Sequence, residues 1–223
     1  MIELLHIDCM TYMATLPDKA FELAIVDPPY GIGEDGERSN RIKPGGKYMS
    51  ADPNKKRYTI KYWDKNPPDI LYFNELKRIS KNQIIWGANH FIGNIPDANS
   101  PCWVVWYKAG QTGGTDFADC ELAYTSFKKA VRYFKFDRTG FGAIYAKETR
   151  IHPTQKPVAL YKWLLHNYAK PGDRILDTHG GSRSLAIACH DYGFDHVSCE
   201  LDADYHRDSV KRFNNHIMQG KLL

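Results

Sequence analysis

Asp27-Pro28-Pro29-Tyr30 is the stretch whose residue types and spacing could do chemistry. The apolar residues Leu23-Ala24-Ile25-Val26 run straight into it. A run of this kind, closed by breakers, reads as a strand buried on both faces of a parallel sheet. Pro28 and Pro29 have no N–H and a fixed φ, so the ladder must stop at Asp27. A carboxylate, a carbonyl and an aromatic ring then stand at the carboxyl end of a central strand, where open α/β sheets bind ligands. The chemistry this suits is attack by an exocyclic amino group of a base. That nitrogen's lone pair is delocalised into its ring. The Asp27 carboxylate and the Pro28 carbonyl would each hold one N–H and draw the nitrogen toward a tetrahedral, reactive geometry. Tyr30 would offer a stacking platform for a base taken out of its helix. The plainer alternative is an Asp-Pro-Pro turn with Tyr30 as ordinary core.

A second constellation lies far along the chain. Arg174-Ile175-Leu176-Asp177 reads as a strand, Thr178-His179-Gly180-Gly181-Ser182 as a small-residue loop, and Ser184 to Tyr192 as a helix. The strand Val197-Ser198-Cys199 follows and ends at Glu200. Strand, glycine loop, helix, strand, acid is a nucleotide-binding layout. The loop aims N–H groups at anionic atoms, and the trailing acid takes ribose hydroxyls. The loop is not Gly-x-Gly-x-x-Gly and carries no Walker lysine, which argues against a dinucleotide and against ATP. What remains is a nucleoside bearing a modest anionic group.

The elements that must position these tips follow from periodicity. Residues 2–7 read as a short strand ending at Asp8, followed by a helix with Met10, Met13 and Leu16 on one face, stopped by Pro17. A helix starts near Pro67, with Phe73, Leu76 and Ile79 on one side. Strands are expected at Gln83–Trp86, Cys102–Tyr107, Glu121–Thr125 and Val131–Phe136, the last alternating as an edge strand does. Pro157 is expected at the first position of a helix over Val158 to Tyr168. A last helix carries Tyr205, Ser209, Phe213 and Ile217 along one face. There are no internal repeats.

The chain has 223 residues, 43% hydrophobic and 25% charged, which suits a single α/β domain with one sizeable core. It shows no apolar run of the roughly 20 residues a membrane span needs and no signal-like N-terminus, so a cytoplasmic protein is expected. The five scattered cysteines read as free thiols and not as a disulfide or zinc framework. The net charge is only +4, but residues 38–65 hold nine Lys or Arg against Asp52 and Asp64. Arg38, Arg41, Lys43, Lys47, Lys55, Lys56, Arg57 and Lys61, interleaved with Tyr48, Tyr58, Tyr62 and Trp63, suit a phosphate backbone. They lie in a long loop spanning 31–66; a solvated lysine-rich loop is the alternative. A second basic cluster, Lys128, Lys129, Arg132, Lys135 and Arg138, reads equally as nucleic-acid contact or as protection of a sheet edge.

Together the two constellations resemble the amino-group DNA methyltransferases in their permuted β-group order, especially the compact phage and prophage members. Asp27-Pro28-Pro29-Tyr30 is similar to the catalytic motif, and it precedes the cofactor loop as that permutation requires. Ile7-Asp8-Cys9 resembles the opening segment whose acid reaches the cofactor adenine. Phe117 to Ala123 is similar to a stretch of the phage-type members. His152-Pro153-Thr154-Gln155-Lys156-Pro157 resembles the segment flanking the methionine part of the cofactor. The family's usual loop reads Asp-Pro-Phe-x-Gly-Ser-Gly; here Thr178, His179 and Arg183 replace the Pro, the Phe and the last Gly. His179 is expected beside the cofactor, and Arg183 either points out of the helix start or meets the cofactor carboxylate.

The resemblance implies a Rossmann-like α/β fold with a mixed, mostly parallel sheet and helices on both faces. It implies S-adenosyl-L-methionine as cofactor, held by Asp8, Cys9, Asp27, Lys156, Asp177, His179, Gly180, Gly181, Ser182 and Glu200. Asp27, Pro28, Pro29 and Tyr30 would be catalytic, and neither a metal nor a covalent enzyme intermediate is needed. The implied reaction is methyl transfer to N6 of adenine in DNA, most simply double-stranded. N4 of cytosine, an RNA or single-stranded substrate, and a silent DNA-binding subunit remain open. A separate target-recognition region is nearly absent, which either shifts specificity to loops 31–66 and 87–100 or leaves it low. Members of the family often dimerise, so a homodimer is an open expectation, and restriction-modification, anti-restriction and regulation stay open as roles.

Overall fold

The centre of the sheet is β2 (Phe21–Val26), paired in parallel with β3 (Ser80–Trp86) on one side and β7 (Arg174–Asp177) on the other. This computed structural model describes residues 1–35, 59–108, 118–135, 148 and 150–220. The other strands are β1 (Ile2–His6), β4 (Trp103–Tyr107), β5 (Cys120–Thr125), β6 (Arg132–Lys135) and β8 (Asp195–Glu200). Among the described residues these form one sheet in the order β1-β8-β7-β2-β3-β5-β4-β6. Only β5 runs against its neighbours β3 and β4, so the sheet is mixed and mostly parallel as expected. The alternating strand at 132–135 is the exposed edge.

From β2 the chain moves outward to β3, and from β7 it moves the other way to β8. Right-handed crossovers in opposite directions must use opposite faces of the sheet. Helix α2 (Ile70–Ile79) accordingly joins α1 (Cys9–Ala14) on one face, with Met13, Phe73, Leu76 and Ile79 packed on Ala24, Val26 and Ile85. Helices α3 (Val158–Tyr168) and α4 (Ser184–Tyr192) cover the other, with Leu160, Leu164 and Leu185 on Leu23, Ile25 and Ile84. Alternate residues of β2 therefore feed two cores, as a strand's period of two dictates. Helix α5 (Ala203–Gly220) adds Phe213, which packs with Ala186 and Ile187 of α4. Where β2 and β7 part company the sheet has its topological switch point, and the crevice at the strands' carboxyl ends is the ligand position of such folds.

The helix ends show why the elements stop where they do. Asp69 caps α2 by accepting from the backbone N–H of Leu71 and Tyr72. Pro157 stands one residue before α3 and not at its first position: its ψ of 145° is extended. The Glu148 carboxylate takes the Val158 N–H that Pro157 cannot satisfy from its own side chain. Among the second basic cluster, Lys129 donates to the Asn167 carbonyl and lies over the Phe127 and Tyr168 rings, which ties it to the last turn of α3. Arg138 lies outside the described residues. None of the described helices is long and apolar enough to cross a membrane, and all five cysteines are free thiols.

Leu164 is fully buried between α3 and the sheet. Leu164→Ala should lower the unfolding free energy by about 2–5 kcal/mol, read from urea titration. A loss below about 1 kcal/mol would mean that the site collapses around the vacancy far better than cores usually do.

Candidate active site

Four acids stand at the carboxyl ends of four neighbouring parallel strands: Asp8 beyond β1, Glu200 on β8, Asp177 on β7 and Asp27 beyond β2. All four line one cleft of about 1410 Å³, together with Cys9, Pro28, Pro29, Tyr30, His179, Gly180, Gly181 and Ser182. That exceeds the roughly 300–1,000 Å³ of an ordinary small-molecule pocket. A cleft of this size has room for two ligands side by side.

Asp27 is not left alone in it. Tyr30 Oη donates to Asp27 Oδ1 at 2.8 Å, and Lys156 Nζ donates to Asp27 Oδ2 at 2.6 Å and to Tyr30 Oη at 3.1 Å. The same ammonium meets Glu121 Oε2 at 3.0 Å, and Glu121 Oε1 is held by Lys108 at 2.5 Å. Burial raises the Asp27 carboxyl above the ordinary range against the pull of Lys156. Burial would raise Glu121 as well, but Lys156 and Lys108 hold it at about 2. Burial works against the Lys156 ammonium, and Asp27 and Glu121 more than offset it, so the cation is retained. Lys156 belongs to the segment that the resemblance gives to the cofactor; its charge is instead committed to Asp27 and Glu121.

The turn after Asp27 is fixed from outside. Asp64, nearly inaccessible, accepts from the backbone N–H of Tyr30 at 2.6 Å, Gly31 at 2.8 Å and Glu34 at 2.8 Å. Gly87, at φ +70°, lies against the Tyr30 ring: a Cβ there would stand 2.1 Å from Cε1. The His90 imidazole is stacked on the same ring with centroids 5.1 Å apart. Part of the expected stacking platform is therefore occupied by the protein itself.

On the cofactor-like side, the glycine loop differs from expectation in how its donors are used. The Gly180 N–H goes to the Cys199 carbonyl at 2.7 Å and the Gly181 N–H to Glu200 Oε2 at 2.7 Å. Both are spent on β8 and not held out for an anion. Glu200 Oε1 accepts from the Asp202 N–H, so the carboxylate is fixed from both ends with lone pairs to spare. Asp8 caps α1 through the Thr11 N–H and hydroxyl. Burial lifts Asp177 to about 7, although one of its oxygens accepts the His179 N–H. Burial also pushes the Cys9 thiol up to about 12, so it stays protonated. His179 is neutral, lowered to about 4 by burial, and sits edge-on to Tyr72 with Thr178 bridging the two. Ser182 bonds to Ser184, and its carbonyl accepts from Arg212.

Arg183 does neither of the things expected of it. Its backbone is left-handed, φ +59°, the conformation that suits the glycine it replaces. Its side chain turns inward, fully buried beneath the loop, where it donates to Ser198 Oγ, the Leu5 carbonyl and His206 Nδ1. The guanidinium lies so close under Gly180 that a Cβ there would be 2.2 Å from Nη1. Burial lowers its pKa against the attraction of Asp177 and Glu200.

Lys61 also departs from expectation: it pairs with Asp202 and Asp204 at 2.6 and 2.8 Å and lies over the Tyr205 ring. Beside it, Trp63 and Tyr205 flank His152, with centroids at 5.3 and 4.4 Å. Arg38, Arg41, Lys43, Lys47, Lys55, Lys56 and Arg57 lie outside the described residues. Glu121, Lys108, Asp64 and Gly87 gain no role from the sequence. The signal for Glu121 was there, a lone charge inside the otherwise uncharged run Cys120–Thr125.

Removing the Asp64 carboxylate strands three N–H groups. Asp64→Ala should cost about 2–4 kcal/mol in urea unfolding, and a cost below about 0.5 kcal/mol would refute its hold on the turn. A pH dependence follows from His152, His179 and His196, which burial keeps neutral down to about 3, 4 and 3. The unfolded chain binds their protons below about 6.5, so stability is lost as pH falls from there toward 4. Asp177, raised to about 7, and Asp27, also raised by burial, work the opposite way, two groups against these three and His206, which burial lowers as well. The thermal midpoint should therefore fall on acidification from pH 6.5 to 5, and less steeply in His196→Leu; an unchanged midpoint would contradict this.

The family model for DNA methylases of the N6/N4 type matches residues 54–211. The type II methyltransferase M.HinfI of Haemophilus influenzae is 25% identical over 250 residues, covering 92% of this chain and 66% of the relative. Among solved structures, the M1.HpyAVI–SAM complex superposes with a TM-score of 0.58 at 19% identity, over 96% of this chain and all of the other. The cytosine-N4-specific PvuII DNA methyltransferase gives 0.57 at 11% identity, over 95% and 88%. With the matched segment covering well over half of its length, the chain belongs to the N6/N4 DNA methylase family.

Proposed function

We propose that the protein methylates the exocyclic N6 of adenine in DNA, on a base flipped into the cleft beside Tyr30. The observation that carries this reading is the shared cleft itself: the Asp27 tip of β2 and the Glu200-anchored glycine loop after β7 open into one space. The chain is read as one methyltransferase domain, with recognition in loops 31–66 and 87–100 and with the basic residues Arg38 to Lys56 and Arg57 on phosphates.

The cleft fits S-adenosyl-L-methionine. A row of carboxylates suits a cationic ligand with hydroxyls, and aromatic Trp63 and Tyr205 line the same wall. Glu200 would take the ribose hydroxyls, Asp8 the adenine amine, and Cys9, His179 and Gly180 to Ser182 the body of the nucleoside. When bound, the cofactor supplies a methyl group on a sulfonium, already activated as a leaving group. This chain's residues then orient the target. The Asp27 carboxylate keeps lone pairs beyond those used by Tyr30 and Lys156, and with the Pro28 carbonyl it would hold the two amine N–H groups. Cytosine N4 offers the same amine geometry, and the PvuII enzyme shares the fold, so cytosine is the second reading.

Incubation with labelled S-adenosyl-L-methionine and mixed DNA, followed by nucleoside mass spectrometry, reports base and atom together. N6-methyladenine is expected; N4-methylcytosine would select the second reading, and label in RNA or single strands alone would move the substrate. Asp27→Ala should abolish transfer and leave cofactor binding within a few-fold. Loss of cofactor binding in a folded Asp27→Ala protein would contradict the role given to Asp27.

A further inference from the structure

Methyl transfer to an amine leaves a surplus proton on the nitrogen, and the cleft holds several groups that compete for it. Asp27 faces Lys156 from the loop before α3, the Tyr30 hydroxyl of its own turn, Glu121 of β5, Tyr161 of α3 and Asp177 of β7. Lys156 is a cation, and Tyr30 and Tyr161 are held protonated by burial and by the Asp27 charge. Asp177 is bonded to the His179 N–H, on the glycine-loop side of the cleft. The choice therefore falls between the two carboxylates that share the Lys156 ammonium.

Their surroundings are unequal. Glu121 has two ammonium partners, Lys156 and Lys108, whereas Asp27 has Lys156 alone; the Tyr30 hydroxyl lies 2.8 Å from Asp27 and 3.4 Å from Glu121. The four charges alternate in sign along the wall, from Asp27 to Lys156 to Glu121 to Lys108. Had Lys156 only Asp27 to neutralise, the pair would be tight and Asp27 a poor proton acceptor. The second carboxylate draws part of that cation away.

We propose that Glu121 is a positioning residue that divides the charge of Lys156, so that Asp27 is the group that takes up the proton shed by the methylated amine. In that step an N–H bond breaks, its electron pair stays on nitrogen, and an O–H bond forms on Asp27. Lys108 acts one step further out: by holding Glu121 it limits how much of Lys156 is drawn away. The inference rests on the transfer reading above for its reaction, but the division of charge belongs to the resting protein and is measured there.

The test is a carboxyl-carbon NMR titration of the 13C-aspartate-labelled protein without cofactor or DNA, with the Asp27 signal assigned by its loss in Asp27→Asn. Glu121→Gln should move the Asp27 midpoint down by about one pH unit or more, and Lys108→Met should move it up. Opposite signs from two neutralising changes are not what a merely structural role produces. In turnover, Glu121→Gln should lower kcat at least about tenfold, shift the acid limb of the pH profile down, and leave the KM for DNA within about twofold. An Asp27 midpoint that stays put in Glu121→Gln, or moves the same way in both variants, would overturn the proposal. Failure of the wild-type protein to methylate any base would overturn the transfer reading instead, and the titration alone decides the division of charge.

Discussion

A carboxylate buried at a strand tip must be given a partner, and in this protein the ion pair between Asp27 and Lys156 is that requirement met. The two residues are 129 positions apart, so the pair exists only when β2 and the loop before α3 have both reached their places. Glu121 brings β5 into the same cluster and Lys108 brings the end of β4. The fold and the chemistry are thus tied at one point. A buried ion pair contributes little net stability, since desolvation consumes most of the Coulomb gain. What it fixes is geometry: Oδ2 of Asp27 is turned to Lys156 and Oδ1 to the Tyr30 hydroxyl.

The row of four acids across β1, β8, β7 and β2 has its own electrostatic logic. Like charges side by side in a low-dielectric cleft raise one another, and Asp177 feels both Asp27 and Glu200. The protein relieves this with fixed donors: the Gly181 N–H on Glu200, the His179 N–H on Asp177, and Arg183 underneath. Arg183 is a cation placed below the loop in the space a glycine-ended motif would leave empty, stabilising acids it does not touch. A ligand bearing positive charge meets a surface already arranged for it.

The fold was largely legible because its signals are local. The run Leu23–Val26 stopped by two prolines, the alternation at 132–135 and the helical spacing at 73–79 each need only a short window of sequence. The strand tips were legible for the same reason, since an acid at the end of an apolar run names its own position. Partners were not. Lys156 reads as part of a cofactor segment, Lys61 as part of a basic run, and Arg183 as pointing out of a helix start or toward a cofactor carboxylate; each goes elsewhere because of a residue distant in sequence. Asp64 shows this most plainly: within a basic stretch it reads as a stray acid, and its role comes from three N–H groups thirty or more positions earlier.

That same acid has a consequence for how the family could vary. The Asp64 carboxylate fastens the turn after β2 to a segment that Lys61 and Trp63 also hold on the body. Between two points fastened in this way, added chain length costs closure entropy only slowly. Changes of chain length between Asp35 and Lys61 can then be taken up without re-aiming the turn that carries Tyr30.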